Sequence, residues 1–168
     1  MAKRKRKVRQ TRTIELLDGQ IRMTVPGSYR KLTPEELEKL VVGSKGDVCG
    51  LQDTQGTTRV IAEAQRLGLL ASRVGKPGIV CQNSERKMAQ ALFAHDYELD
   101  GFFETTVAGE QAAGYRYHYM GDVALFGQMV VVRSGRLLLS LSVVDSRQRE
   151  RRVLPAFEAM LASVTFEG

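Results

Sequence analysis

The stretch Gln111–Tyr119 constrains this chain more than any other. It reads Gln-Ala-Ala-Gly-Tyr-Arg-Tyr-His-Tyr, with a tyrosine at every second position from 115 to 119. A strand sends alternate side chains to opposite faces. Tyr115, Tyr117 and Tyr119 therefore share one face, and Arg116 and His118 point the other way. Strand-like runs flank it: Leu99–Val107 before, Val123–Arg133 and Arg136–Val144 after. The pattern predicts an antiparallel meander on which the N-terminal part packs. The last two runs are apolar on both faces, so cover is expected on both sides of the sheet.

The N-terminal part supplies more strands and the first helix. Thr11–Leu17 and Gln20–Val25 flank Asp18-Gly19, a hairpin signal. Thr33-Pro34-Glu35-Glu36 is a capping box with proline at the first helical position, and Leu32 and Leu37 are placed to staple it. This helix is expected to end at Gly43. Asp47–Gln52 and Thr57–Gln65 read as a second hairpin, although the latter run could turn helical near Ala62. Arg66–Val74 reads as a short helix broken by Gly75-Lys76-Pro77-Gly78, with Ile79–Gln82 in a loop. A helix capped at Asn83 or Ser84 then runs to His95, with Met88, Ala91, Leu92 and His95 inward. A last helix runs from about Val153 to Ser163, with Pro155 in its first turn and Leu154, Phe157, Leu161 and Val164 inward. The expected fold class is α+β: an antiparallel sheet of about six strands covered by helices, an α/β/α sandwich.

The net charge of +6 is concentrated. Lys3, Arg4, Lys5, Arg6, Lys7, Arg9 and Arg12 are seven cations with no acid among them. Removing them from the 25 basic side chains leaves 18 against 19 acidic ones, so the rest of the chain is near neutral. Residues 1–12 read as a disordered basic tail and 13–168 as a single domain. A chain of 168 residues buries roughly 70% of its unfolded surface and needs no staple. Cys49 and Cys81 read as reduced thiols. No apolar run reaches membrane-spanning length, and no apolar segment follows the basic stretch to make a secretory signal. The expected location is cytoplasmic, and the pattern leaves the oligomeric state open.

No stretch carries catalytic chemistry. Cys49, Cys81, His95 and His118 are at least 14 residues apart, unlike the close pairs of structural zinc sites. No Gly-x-Ser-x-Gly occurs, and neither Gly43-Ser44-Lys45-Gly46 nor Gly75-Lys76-Pro77-Gly78 completes a P-loop. No cofactor is expected. Tyr115, Tyr117 and Tyr119, with Arg116 and His118, form the candidate partner surface, although tyrosines at this spacing also pack under a helix with their hydroxyls at the rim. Arg147–Arg152, interrupted by Glu150, reads as a solvated helix entry. The tail is a candidate anion-binding segment for nucleic acid or anionic lipid.

Several motifs are similar to those of a known family. They are Ile21-Arg22-Met23-Thr24-Val25-Pro26-Gly27, Leu32-Thr33-Pro34-Glu35-Glu36-Leu37 and Gly101-Phe102-Phe103. Further on come Gly109…Ala112-x-Gly114-Tyr115-x-Tyr117-x-Tyr119 and Arg152-x2-Pro155-x-Phe157-x3-Leu161-x3-Thr165-Phe166. Together they make Ile14–Phe166 resemble small bacterial members of the PsbP-like superfamily. That group is named after an extrinsic subunit of the oxygen-evolving complex. It also includes a fungal nuclear-import factor that binds the GTPase Ran, and chaperones of type VI secretion effectors. The resemblance implies a curved antiparallel sheet between helical layers and a binding role with a protein partner, and it carries no active site to transfer. The tail and Gly75–Asn83 look like departures from the family pattern. The expected function is thus a non-catalytic protein-binding adaptor or chaperone-like module, with an anionic-surface binder acting through the tail as the alternative.

Overall fold

The computed structural model describes residues 10–41, 44 and 46–167. Two antiparallel sheets carry the fold. The strands are β1 (Thr11–Leu16), β2 (Ile21–Pro26), β3 (Arg30–Lys31), β4 (Asp47–Gln52) and β5 (Arg59–Arg66). They continue with β6 (Glu98–Val107), β7 (Glu110–Met120), β8 (Ala124–Ser134), β9 (Leu137–Ser146) and β10 (Thr165–Phe166). The main sheet has seven strands in the order β3-β4-β5-β9-β8-β7-β6, and β1-β2-β10 form a second sheet of three. The meander β6-β7-β8-β9 is as expected. Thr57–Gln65 resolves as strand, and β5 joins the meander by pairing with β9 from Arg59↔Val144 to Arg66↔Leu137.

Each face of the main sheet has its own core. On one face, β1 and β2 and the helix α4 (Glu150–Ala162) bury Ile21, Met23, Phe157 and Met160 against Val60, Val130, Leu139 and Leu141. On the other, helix α3 (Pro77–Ala91) covers Tyr115, Tyr117, Val131 and Leu138. The expected six-stranded α/β/α sandwich is corrected accordingly: the α4 layer is part sheet and the main sheet has seven strands. Alternation marks strands well, but it cannot say which strands join which sheet.

The helices differ from expectation at their ends. Thr33 Oγ1 accepts from the Glu36 backbone N–H at 3.3 Å, yet α1 spans only Pro34–Glu38. Leu32 and Leu37 close over Gly50, where an added Cβ would lie 2.6 Å from a methyl of each. Helix α2 is Ala71–Val74. Helix α3 begins at Pro77, so Gly75-Lys76-Pro77-Gly78 opens the helix and Ile79–Gln82 is helical. Pro77 there needs no N–H partner and presets φ. Of the expected inner stripe, Met88 and Leu92 pack inward, while Ala91 and His95 are exposed. Helix α4 starts three residues early, which puts Pro155 inside it, on the solvent side. No helix among the described residues is long and apolar enough to cross a membrane.

Candidate functional site

Strand β7 divides the expected partner surface between the two faces. Tyr115 and Tyr117 lie under α3, 0% and 2% exposed, and Tyr119 is half-buried. Their rings form a row with centroids 5.7 Å apart (Tyr115–Tyr117) and 6.0 Å apart (Tyr117–Tyr119), joined by Tyr97 at 5.7 Å from Tyr117. Ser84 Oγ and Tyr115 Oη are 2.9 Å apart, and Tyr97 donates to Glu85 at 3.0 Å. Burial pushes the Tyr115 phenol up to about 12 and the Tyr117 phenol further, neighbouring phenols adding to it. A partner cannot reach Tyr115 or Tyr117. An amphipathic ring is worth more in a core than on a surface once a helix is long enough to cover it.

Arg116 and His118 occupy the opposite face, beyond the reach of the small sheet. Arg116 lies 5.4 Å over the Phe103 ring, and its Nε donates to Gln128 Oε1 at 2.8 Å. His118 sits between two carboxylates, with Nε2 3.1 Å from Glu98 and Nδ1 2.6 Å from Asp100. A register shift between Leu99 and Gly101 turns Asp100 towards the histidine. Gly101 takes φ 154° there, which a residue with a Cβ rarely adopts.

Beside them runs the open edge of the main sheet. One edge strand, β3, has two residues; the other, β6, has ten. Strand β6 pairs only with β7 among the described residues. Phe102 projects from it, 49% exposed. No Lys or Arg occurs between Lys87 and Arg116, while Asp96, Glu98, Asp100, Glu104 and Glu110 all fall there. The charged residues of β6 are therefore all acidic, and the one guanidinium that reaches over this strand among the described residues is Arg116, above Phe103. That charge segregation is visible in the sequence, but only the strand order marks it as an edge.

The structure also brings together a polar group that sequence reasoning missed. Asp53, Thr58, Asp145 and Arg149 meet beside a cleft of about 980 Å3 that Gln10, Gly27, Tyr29, Arg152 and Val153 also line. Thr58 Oγ1 lies 2.6 Å from Asp145 Oδ2 and 3.2 Å from Asp53 Oδ2. Arg149 reaches Asp53 at 3.2 Å and Asp145 at 3.6 Å. Burial raises the Asp53 carboxyl, but N–H donors of Thr57 and Thr58, the Thr58 hydroxyl and Arg149 outweigh it and hold the group below its ordinary value. This is a clamp that ties the β4–β5 turn to the start of α4. Arg149 is thus turned inward, whereas Arg147, Arg151 and Arg152 stay exposed as expected of a helix entry. The i,i+4 spacing of Asp145 and Arg149 was the available signal.

The remaining candidates stand apart. Cys81 lies on the inner side of α3, facing the sheet, and its thiol is pushed up to about 11 by burial; Cys49 is on β4, raised by burial. His95 is exposed in the turn after α3. Among the described residues, no three His, Cys, Asp or Glu side chains are grouped to hold a metal. Lys3, Arg4, Lys5, Arg6, Lys7 and Arg9 lie outside the described residues, as does part of Gly43-Ser44-Lys45-Gly46. Arg12, counted with the tail, lies in β1 and its guanidinium donates to the Tyr29 carbonyl.

No protein-family model matches the chain, and no curated protein matches its sequence. Solved structures do. Cyanobacterial PsbP (CyanoP) from Synechocystis sp. PCC 6803 superposes with TM-score 0.72 at 11% identity, covering 99% of this chain and 98% of that one. The chain has the PsbP-like fold. LpqN of Mycobacterium tuberculosis, involved in cell envelope biogenesis, gives 0.62 at 15% identity over 95% and 91%. The Ran-binding protein Mog1p of Saccharomyces cerevisiae gives 0.60 at 8% identity over 94% and 95%. At these identities the likeness concerns the PsbP-like fold alone.

Proposed function

We propose that the protein is a non-catalytic protein-binding module that takes an extended segment of its partner along the β6 edge. The observation that carries this is the ten-residue edge strand with no neighbour among the described residues, flanked by exposed Phe102 and the Arg116–His118 patch. An unpaired edge offers a row of backbone donors and acceptors to an added strand, and neighbouring side chains supply selectivity. The Ran-binding character of Mog1p on the same fold supports a protein partner. The buried thiol of Cys81, pushed up by that burial, fits a role without turnover. Two free cysteines fit a reducing, cytoplasmic setting.

The test is capture from native lysate by the full chain, a chain beginning at Gln10 and a Phe102→Lys variant, each at low and high salt. A discrete protein held by the first two at high salt and lost with Phe102→Lys, with new hydrogen-exchange protection on β6, is the expected result. An enzymatic turnover abolished by His118→Ala and Cys81→Ser would overturn the reading.

The charge segregation favours one alternative. Lys3–Arg9 carries six cations ahead of a near-neutral body and would dock the protein on nucleic acid or anionic lipid. Such binding falls steeply with salt and disappears in the chain beginning at Gln10; salt-insensitive binding contradicts it.

A further inference from the structure

We propose that the β6 edge binds the Lys3–Arg9 segment of a second copy of this chain as an added strand. This rests on the reading of β6 as a docking edge and names one occupant for it. Three observations carry the choice.

The first is charge. Five acids and no Lys or Arg occupy the residues around β6, while Lys3, Arg4, Lys5, Arg6, Lys7 and Arg9 form an acid-free run in the same chain. Glu98 and Asp100 lie on one face of the edge and Glu104 on the other, so a cationic strand meets acids on both of its faces. The second is exclusion. Two β6 edges pairing with each other would set acid against acid, the arrangement by which charged edges prevent self-pairing. The edge therefore selects a cationic segment.

The third is reach. Gln10 accepts from the Gly27 N–H at 2.8 Å beside the cleft formed with the β4–β5 turn, so Lys3–Arg9 starts from that end of the sheet. Four strand steps separate β5 from β6 in the sheet order, roughly 19 Å at about 4.8 Å each. Nine extended residues span at most about 30 Å, which leaves about three to pair. A second copy's segment does not have to span the sheet and can pair along all seven of its residues on the ten-residue edge, which the chain's own segment cannot. Self-association and capture of another partner then compete for one edge.

The experiment is a charge swap in the full chain, read by sedimentation equilibrium at low salt. The wild type is expected to self-associate. A tail variant (Lys3→Glu, Lys5→Glu, Lys7→Glu) and an edge variant (Glu98→Lys, Glu104→Lys) are each expected to associate roughly tenfold or more weakly. Mixing the two variants restores association, because the edge variant's unchanged cationic tail meets the tail variant's unchanged acidic edge. That recovery also establishes that both variants are folded. A wild type that is monomeric at low salt, association that persists in either variant, or a mixture that fails to recover overturns the proposal. So does association abolished by nuclease, which assigns the tail to nucleic acid. None of these results touches capture of a distinct partner at high salt, which judges the docking-edge reading separately.

Discussion

The Asp53–Thr58–Asp145–Arg149 clamp makes a quantitative demand. In Arg149→Met the methylene stem is largely kept and the guanidinium is lost. Both carboxylates reach one hydroxyl, at 2.6 and 3.2 Å, so they lie within about 6 Å of each other. At that separation and an effective dielectric of about 20, two negative charges repel by about 3 kcal/mol. Removing one partner of a buried ion pair costs about 3–5 kcal/mol in general. A loss of about 3 kcal/mol at neutral pH is therefore expected from urea unfolding followed by circular dichroism, since the chain has no tryptophan. Loss of the Arg149 donor raises the folded-state pKa of Asp53 in the variant. A raised carboxyl binds a proton more tightly when folded, so the deficit shrinks as pH falls towards that pKa. Asp145→Asn in the Arg149→Met background removes the repulsion and is expected to recover about half of the loss or more. A deficit below about 1 kcal/mol, or no recovery with Asp145→Asn, refutes the clamp as the reason these residues are buried together.

Two further outcomes follow from the tyrosine row. All five tyrosines are raised by burial, so 295 nm absorbance of the native protein should show little phenolate near pH 10. Their stabilising contribution is whole below the ordinary phenol pKa and is lost as pH rises through the folded values; a native titration centred near 10 contradicts the packing. Gly127→Ala sets a Cβ 2.1 Å from the Tyr117 ring, which its neighbours hold in place, and is expected to cost about 1–3 kcal/mol. Tyr117→Leu in the same chain makes the glycine replaceable, so the two substitutions together should cost less than their sum.

Much of the fold was legible. Tyr115, Tyr117 and Tyr119 on one face, the meander, and Thr33 capping its helix all rest on local spacing, and all appear. The start of α3 was not, because Gly75-Lys76-Pro77-Gly78 is equally a breaker and a helix opening; the core offered by Ala113, Tyr115 and Val131 decides for helix. The candidate site was half legible. Arg116 and His118 share the face opposite the tyrosines, Arg116 exposed and His118 half-buried, while Tyr115 and Tyr117 are covered by a helix whose length the local pattern understated.

By itself the sequence determined which residues alternate, where the turns fall, and that positive charge gathers at residues 3–9 and negative charge around β6. Tertiary structure alone decided that β5 pairs with β9, that β2 leaves the main sheet to pair with β10, and that β6 is an edge. It also brought Asp53 to Arg149 across 96 positions of chain. Periodicity is set by each segment's own backbone geometry, whereas partners distant in sequence are chosen by which arrangement buries both faces of the sheet at once and leaves no charge inside unpaired.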